Sequence, residues 1–211
     1  ALRDPEVGRT ALVSSFGTES VVLLHMVSVV DPATPVLFLD TGMHFPETLA
    51  YQREVTARLG LTGVEVVAPD RQDLFARDPD GILHVMDANA CCRLRKTEPL
   101  NRALAPFDAW ITGRKRYQGG ARAGLQHFEA SDGRIKVNPL AHWGPDDVED
   151  YITNSRLLRH PLGGSSMPSI GCAPCTGEIG PGEDVRAGRW RGTEKLECGI
   201  HFENGRMVRP V

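Results

Sequence analysis

Four short aliphatic runs alternate with three helical patterns in the first half of the chain, and this alternation restricts the fold more than any other feature. Residues 10–15, 35–40, 64–68 and 108–113 are the candidate strands. Residues 20–30 are apolar enough for a buried helix. A second helix starts near Pro46 and stops before Gly60, with proline inside the first turn and glycine past the last. Residues 90–104 look helical, with Pro99 interrupting. Such alternation implies a parallel sheet with helices on both faces. Ligands of these sheets sit at the carboxyl ends of the strands. Three polar segments leave the strands there: 14–20, 40–45 and 114–122.

The second half differs. Residues 124–130 and 134–139 flank Ser131-Asp132-Gly133 as a hairpin, and Gly144-Pro145-Asp146-Asp147 opens an acid-capped helix to about Ser155. Beyond Pro161 the chain is rich in Gly, Pro and Ser. A segment of that composition builds no core alone, so either other elements fix it or it is mobile. The expected organisation is one α/β nucleotide-binding domain over 1–160, with 161–211 a C-terminal segment of the same domain.

The 211 residues are 41% hydrophobic and 24% charged, which excludes collagen, coiled coil and wholesale disorder. A chain this long can bury a core without disulfide staples. Lys plus Arg is 24 and Asp plus Glu is 27, for a net charge of -3. No global basic excess favours nucleic acid, so an anion site requires local clustering. That clustering exists: Arg93, Arg95, Lys96, Arg102, Arg114, Lys115, Arg116 and Arg122 face only Glu98 and Asp108 over residues 91–122. A solvated helix face accounts for Arg102. Arg114 to Arg116 leave a strand at its ligand end, where clustered cations suit a phosphate or sulfate. No run approaches the ~20 apolar residues of a membrane helix. The start is polar and lacks a signal-peptide core, so a cytoplasmic location is expected. The short lead before Thr10 suggests that residues precede Ala1.

Five cysteines form an odd set: Cys91 and Cys92 adjacent, Cys172 and Cys175 spaced as CxxC, and Cys198 alone. This pattern favours metal binding or catalysis over a disulfide framework. Four thiolates can hold a tetrahedral zinc or an iron–sulfur cluster. Adjacent cysteines suit neither readily, so spacing leaves the metal open. Cys91 and Cys92 could also be unliganded at a helix start. A thioredoxin-like pair at 172 and 175 would need a long helix after it, which Thr176-Gly177-Glu178-Ile179-Gly180-Pro181-Gly182 cannot form. Cys198 has His201 three residues on and Arg186, Arg189, Arg191 and Lys195 upstream. Positive charge of that kind makes a thiol nucleophilic. A buried inert cysteine is the plainer reading, but a Gly-flanked charged tail is a poor place to bury one.

The loop Ser14-Ser15-Phe16-Gly17-Thr18-Glu19-Ser20 joins a strand to a helix. Its hydroxyls, its glycine and the helix N–H groups can receive a phosphate. It is not a Walker loop, and helix capping accounts equally well for Ser14, Thr18 or Ser20.

Together these motifs resemble the assimilatory adenylyl-sulfate and phosphoadenylyl-sulfate reductases. The matching pieces are the 14–20 loop, Leu39-Asp40-Thr41-Gly42-Met43-His44-Phe45-Pro46-Glu47-Thr48, Cys91-Cys92-Arg93-Leu94-Arg95-Lys96, Gly113-Arg114-Lys115-Arg116-Tyr117-Gln118-Gly119, Cys172-Ala173-Pro174-Cys175, Arg186-Ala187-Gly188-Arg189-Trp190 and Glu197-Cys198-Gly199-Ile200-His201. They follow the family's order and span nearly the whole chain. The resemblance implies a Rossmann-like parallel-sheet fold of the adenine-nucleotide hydrolase-like (PP-loop) group, with a flexible C-terminal tail carrying the nucleophile. It implies that Cys91, Cys92, Cys172 and Cys175 hold a [4Fe-4S] cluster. Cys198 matches the nucleophile, and Lys96 a residue linking cluster and substrate. Arg186, Arg189 and His201 match substrate contacts. The first loop, Asp40-Thr41-Gly42 and the basic residues Arg114, Arg116 and above all Arg122 are expected to join them. The four-cysteine subgroup typically prefers adenylyl sulfate over its 3′-phosphorylated form. The implied role is sulfate assimilation toward cysteine: Cys198 takes the sulfuryl group as S-sulfocysteine, AMP leaves, and sulfite is released by a dithiol partner. Within the 211 residues no thioredoxin-like domain occurs, so thioredoxin or glutaredoxin is expected as a separate reductant. A homo-oligomer stays open. Gly163-Gly164-Ser165-Ser166 departs from the family, which is usually more apolar there.

Two other readings compete. A PP-loop ATP pyrophosphatase-type ligase or tRNA sulfur transferase would carry SGGxDS in its first loop, where this chain has Phe16 and Glu19. A non-enzymatic iron–sulfur or zinc redox sensor would leave Cys198 dispensable.

Overall fold

The structure, a computed structural model, describes residues 1–193 except Asp132, together with Lys195 and Glu197. The described elements run β1 (Thr10–Ser14), α1 (Ser20–Val30), β2 (Val36–Leu39), α2 (Pro46–Arg58), β3 (Val64–Val67), α3 (Arg71–Arg77), α4 (Leu83–Met86) and α5 (Ala88–Cys92). A π-helical turn (Arg93–Thr97) follows, then α6 (Glu98–Ala103), β4 (Ala109–Ile111), β5 (Phe128–Ser131), β6 (Arg134–Val137) and α7 (Pro145–Asn154). The strands form one six-stranded sheet in the order β3-β2-β1-β4-β6-β5. All pairs are parallel except the β5–β6 hairpin.

Strand burial accounts for the sequence pattern. All four residues of β2 are buried, as a parallel strand covered on both faces requires. Leu12 of β1 lies between Val36 and Ile111 in register. One core packs Leu12 and Phe38 against Val21 and Leu24 of α1, Tyr51 and Val55 of α2, and Val148 and Ile152 of α7. On the other face Ala11, Leu37, Leu39 and Trp110 meet Leu100, Leu104 and Phe107. Each buried Val, Leu, Ile or Phe among them contributes roughly 1.5–3 kcal/mol by leaving water.

Strand order reverses between β1 and β4: the chain builds outward through β2 and β3, then returns to β1's other side. The crevice beyond the carboxyl ends of β1 and β4 is therefore the topological switch point where such sheets bind ligands.

Two features depart from the sequence reading, and a third answers an alternative it left open. Helices α3 and α4 fill a stretch assigned no element; Asp70 caps α3 by accepting from the Gln72 and Asp73 amides. Pro99 does not break the 90–104 helix. The backbone stays helical through it, and the departure from regular α-helix is the π turn just before it. The described part of the C-terminal segment is packed against the domain, with Ile170, Cys172 and Trp190 buried.

Candidate active site

A cleft of about 630 Å³ opens at the switch point. Ser14, Ser15, Gly17, Thr18, Glu19 and Ser20 all line it. No side chain caps α1, so its positive end is presented to the cleft at Glu19 and Ser20. Ser14 Oγ accepts from the Phe16 amide at 3.2 Å, and Thr18 Oγ1 donates to the Pro168 carbonyl at 2.6 Å. Phe16 is not brought into the cleft: its backbone is left-handed (φ 49°), and its ring turns into the core, edge-on to Phe38 at 5.2 Å. Glu19 also does something the sequence did not suggest. Its carboxylate accepts from Lys115 Nζ at 2.7 Å, Gln118 Nε2 at 3.2 Å and the Tyr117 hydroxyl. Burial pulls the Lys115 amine down, against the pull of Glu19.

Among the described residues, Lys96, Arg114, Lys115, Arg122, Arg159, Arg186 and Arg189 line the cleft, against the carboxylates of Glu19, Asp146 and Glu149. This is the local clustering that the net charge of -3 required. Arg114 is held by Glu129 at 2.6 Å and by Asn138 Oδ1 at 3.1 Å. Arg122 grips Glu197 through two nitrogens, Nη2 to Oε2 at 2.8 Å and Nε to Oε1. Arg189 donates to the Cys175 carbonyl at 3.3 Å and lies 4.6 Å over the Trp190 ring. Arg116 points elsewhere, its Nε bonded to the Leu125 carbonyl at 2.7 Å. Asp40, Thr41 and Gly42 do not line the cleft either. Asp40 accepts from the Gly42 amide, and Thr41 Oγ1 lies 3.3 Å from Cys172 Sγ. Cys198 and His201 lie outside the described residues.

Behind the cleft Cys91, Cys92, Cys172 and Cys175 line one small cavity, with His84, Arg95, Lys96 and Trp190. Local structure explains how. Asp87 caps α5 by accepting from the Asn89 and Ala90 amides, and α5 delivers the two adjacent cysteines into the π turn. The CxxC segment is stitched to the loop after β2 by the Ala173 amide, which donates to the Met43 carbonyl at 2.8 Å, and by the His44–Cys172 bridge. Arg95 braces the assembly: it pairs with buried Asp78 at 2.6 Å and donates to the Thr41 carbonyl at 2.9 Å.

The thiols tell two stories. Burial, then the neighbouring sulfurs, push the Cys91 thiol up to about 12. Burial raises Cys172 as well, but Lys96, Thr41 and Arg189 outweigh it, and that thiol ends below its ordinary value. Three buried thiols and a half-buried fourth, which repel one another as thiolates, suit a cationic group that all four can bind. Among the described residues no three His, Cys, Asp or Glu side chains converge closely enough to hold a single metal ion.

Lys96 and Trp190 line both the cleft and the cysteine cavity. Trp190 stood in a quoted motif without a role, and so did His44, which lines the cleft and stacks on Phe38. Burial lowers the His44 imidazole below its ordinary value. Tyr117 and Gln118 also lacked a role; their signal was the polar run directly after β4. Glu197 offered no signal beyond adjacency to Cys198.

Comparison with known proteins agrees with this geometry. Residues 9–178 match the family described as phosphoadenosine phosphosulfate reductase domain. An adenosine 5′-phosphosulfate reductase of Mesorhizobium japonicum is 52% identical over 192 residues, covering 91% of this chain and 76% of that protein. A phosphoadenosine 5′-phosphosulfate reductase of Gloeobacter violaceus is 43% identical, over 92% of this chain and 82% of that one. The crystal structure of a phosphoadenylyl-sulfate reductase from Candida auris, a phosphate complex, superposes with a TM-score of 0.67 at 28% identity, over 79% of this chain and 82% of that one. With a switch-point cleft rich in cations and a family match across most of its length, this chain belongs to the adenylyl-sulfate and phosphoadenylyl-sulfate reductase family.

Proposed function

We propose that the chain reduces adenylyl sulfate to sulfite and AMP, with Cys198 as nucleophile and a separate dithiol protein, thioredoxin or glutaredoxin, as reductant. The observation that carries this reading is the shared wall: one lysine, Lys96, faces both a cationic cleft and a four-thiol cavity.

The chemistry follows from charge. The Cys198 thiolate attacks the sulfuryl sulfur, a new S–S bond forms, and the S–O bond to the phosphate breaks with its electron pair leaving on AMP. Anion approaches anion, so the step needs cations fixed beforehand. Lys96, Arg186 and Arg189 offset the sulfuryl charge, with His201 joining them, and Arg122 meets the phosphate side. The positive end of α1 and the 14–20 loop hold the nucleotide phosphate. A thiolate of the reductant then attacks Cys198 Sγ and displaces sulfite, and its second thiol resolves the mixed disulfide.

Cys91, Cys92, Cys172 and Cys175 would hold a [4Fe-4S] cluster; the four thiols lining one small cavity support it. When bound, such a cluster supplies structural bracing and an electrostatic environment rather than electrons for the reaction. Lys96 is the residue placed to relate it to the cleft. Residues 1–160 would form the nucleotide-binding domain, and 161–211 would complete its site.

Steady-state sulfite release with thioredoxin supplied tests the reading, with adenylyl sulfate compared against its 3′-phosphorylated form. Turnover on adenylyl sulfate is expected. ATP cleavage to AMP and pyrophosphate without sulfite release would instead favour a PP-loop ligase.

A further inference from the structure

Glu197 is paired with two cations of the cleft, Arg122 and Arg186. Its carboxylate takes Nε and Nη2 of Arg122, while Nη1 of Arg122 is bonded to Gln118 Oε1. Arg186 Nη2 approaches the same carboxylate at 3.5 Å. The pair is shielded, with the Arg122 side chain 9% and the Glu197 side chain 16% exposed. Burial raises the Glu197 carboxyl, but Arg122, Arg186 and Arg114 outweigh it and hold it below its usual range. The guanidinium edge that Glu197 fills is the one that recognises phosphate or sulfate in the same two-pronged way. Glu197 also directly precedes Cys198 in the chain.

We propose that Glu197 is a positioning residue that stands in for the substrate's anion, filling the Arg122 fork until a phosphate or sulfate displaces it. Glu197 fills the Nε–Nη2 edge of Arg122, so a phosphate or sulfate that binds this edge must displace it. Ligand entry therefore frees the residue next to the nucleophile. The apparent affinity for any anion that needs the fork is reduced by the fraction of molecules in which the fork is open. The inference uses the proposed activity only to say which nucleotide arrives.

The test is a binding cycle on the full chain by titration calorimetry. ADP is the probe, because its two linked tetrahedral oxyanions resemble a phosphosulfate and it carries no sulfuryl group to transfer. Glu197→Gln is expected to tighten ADP about tenfold, as for a fork open about one time in ten. In an Arg122→Gln background the same substitution is expected to change affinity less than about twofold, since uncoupled sites add and only coupled ones do not. Glu197→Asp, with a shorter reach, is expected to fall between wild type and Glu197→Gln, and it carries the test should Glu197→Gln fail to fold. Unchanged or weaker binding in these variants would overturn the proposal. An equal gain with Arg122 removed would overturn it too, because that result needs only the loss of a distant negative charge. A chain that shows the cycle but no turnover of adenylyl sulfate would keep this inference and sink the proposed activity.

Discussion

The cleft and the cysteine cavity share Lys96 and Trp190 as a wall, yet one gathers cations and the other thiols. The cleft's cations are held in advance by carboxylates from distant parts of the chain: Lys115 by Glu19, Arg114 by Glu129, Arg122 by Glu197. Each is positioned before any ligand arrives. In the cysteine cavity Cys172 is eased toward the thiolate, and Cys91 and Cys175 are pushed the other way. The cleft is thus preorganised by the chain alone, whereas the cavity's four sulfurs become favourable together only around a cationic group. Lys96 relates the two.

The largest expected effect belongs to the cleft side. Cys198→Ala should abolish sulfite release while leaving ADP binding and iron and acid-labile sulfide content unchanged; a variant that keeps its turnover removes the nucleophile from the scheme. Lys96→Ala comes next, and it tests the shared wall. Losing one fixed cation beside developing charge should lower kcat/KM by about 10²-fold with little change in melting temperature. An unchanged kcat/KM would break the link between the two regions.

Gly171 offers a finer probe. A Cβ there would fall 2.2 Å from Arg189 Nη2, so Gly171→Ala must push that guanidinium off its seat. The expected cost is about tenfold in kcat/KM through misplacement, read in steady-state kinetics.

The smallest effect on turnover lies behind the cavity. Asp78→Asn leaves Arg95 buried without its charge partner and should cost about 3 kcal/mol in urea unfolding. Burial raises Asp78, but Arg95 and the Leu83 amide outweigh it, so its carboxyl sits below the ordinary 3.8. Its stabilisation is therefore complete above that value and is lost as pH falls through the folded one. The stability gap between wild type and Asp78→Asn should close in acid; a gap independent of pH would contradict the pairing.

The same contrast explains what was legible in the sequence. Strands β1 to β4 and helices α1, α2 and α7 follow from local apolar pattern and from Pro46, Gly60 and Pro145, because their cores are built from each element's own period. The positive charge between 91 and 122 was countable, but its partners were not. Lys115 meets Glu19 across 96 residues and Arg122 meets Glu197 across 75, distances at which no local pattern operates. Phe16 misled for a related reason: its place in a polar loop suggested the cleft, while its left-handed backbone turns the ring into the core. The described C-terminal segment is fixed by single long-range contacts, such as Thr18 to Pro168 and Trp190 N–H to the Cys175 carbonyl, which composition alone cannot reveal.

The central claim is a thiolate taking a sulfuryl group inside a prearranged cationic cleft. Intact-protein and peptide mass spectrometry after mixing with adenylyl sulfate, without reductant, addresses it directly. An SO₃ addition confined to Cys198, removed on adding thioredoxin with release of sulfite, is the expected result. Active protein that never carries the addition, or carries it on another cysteine, would contradict the account.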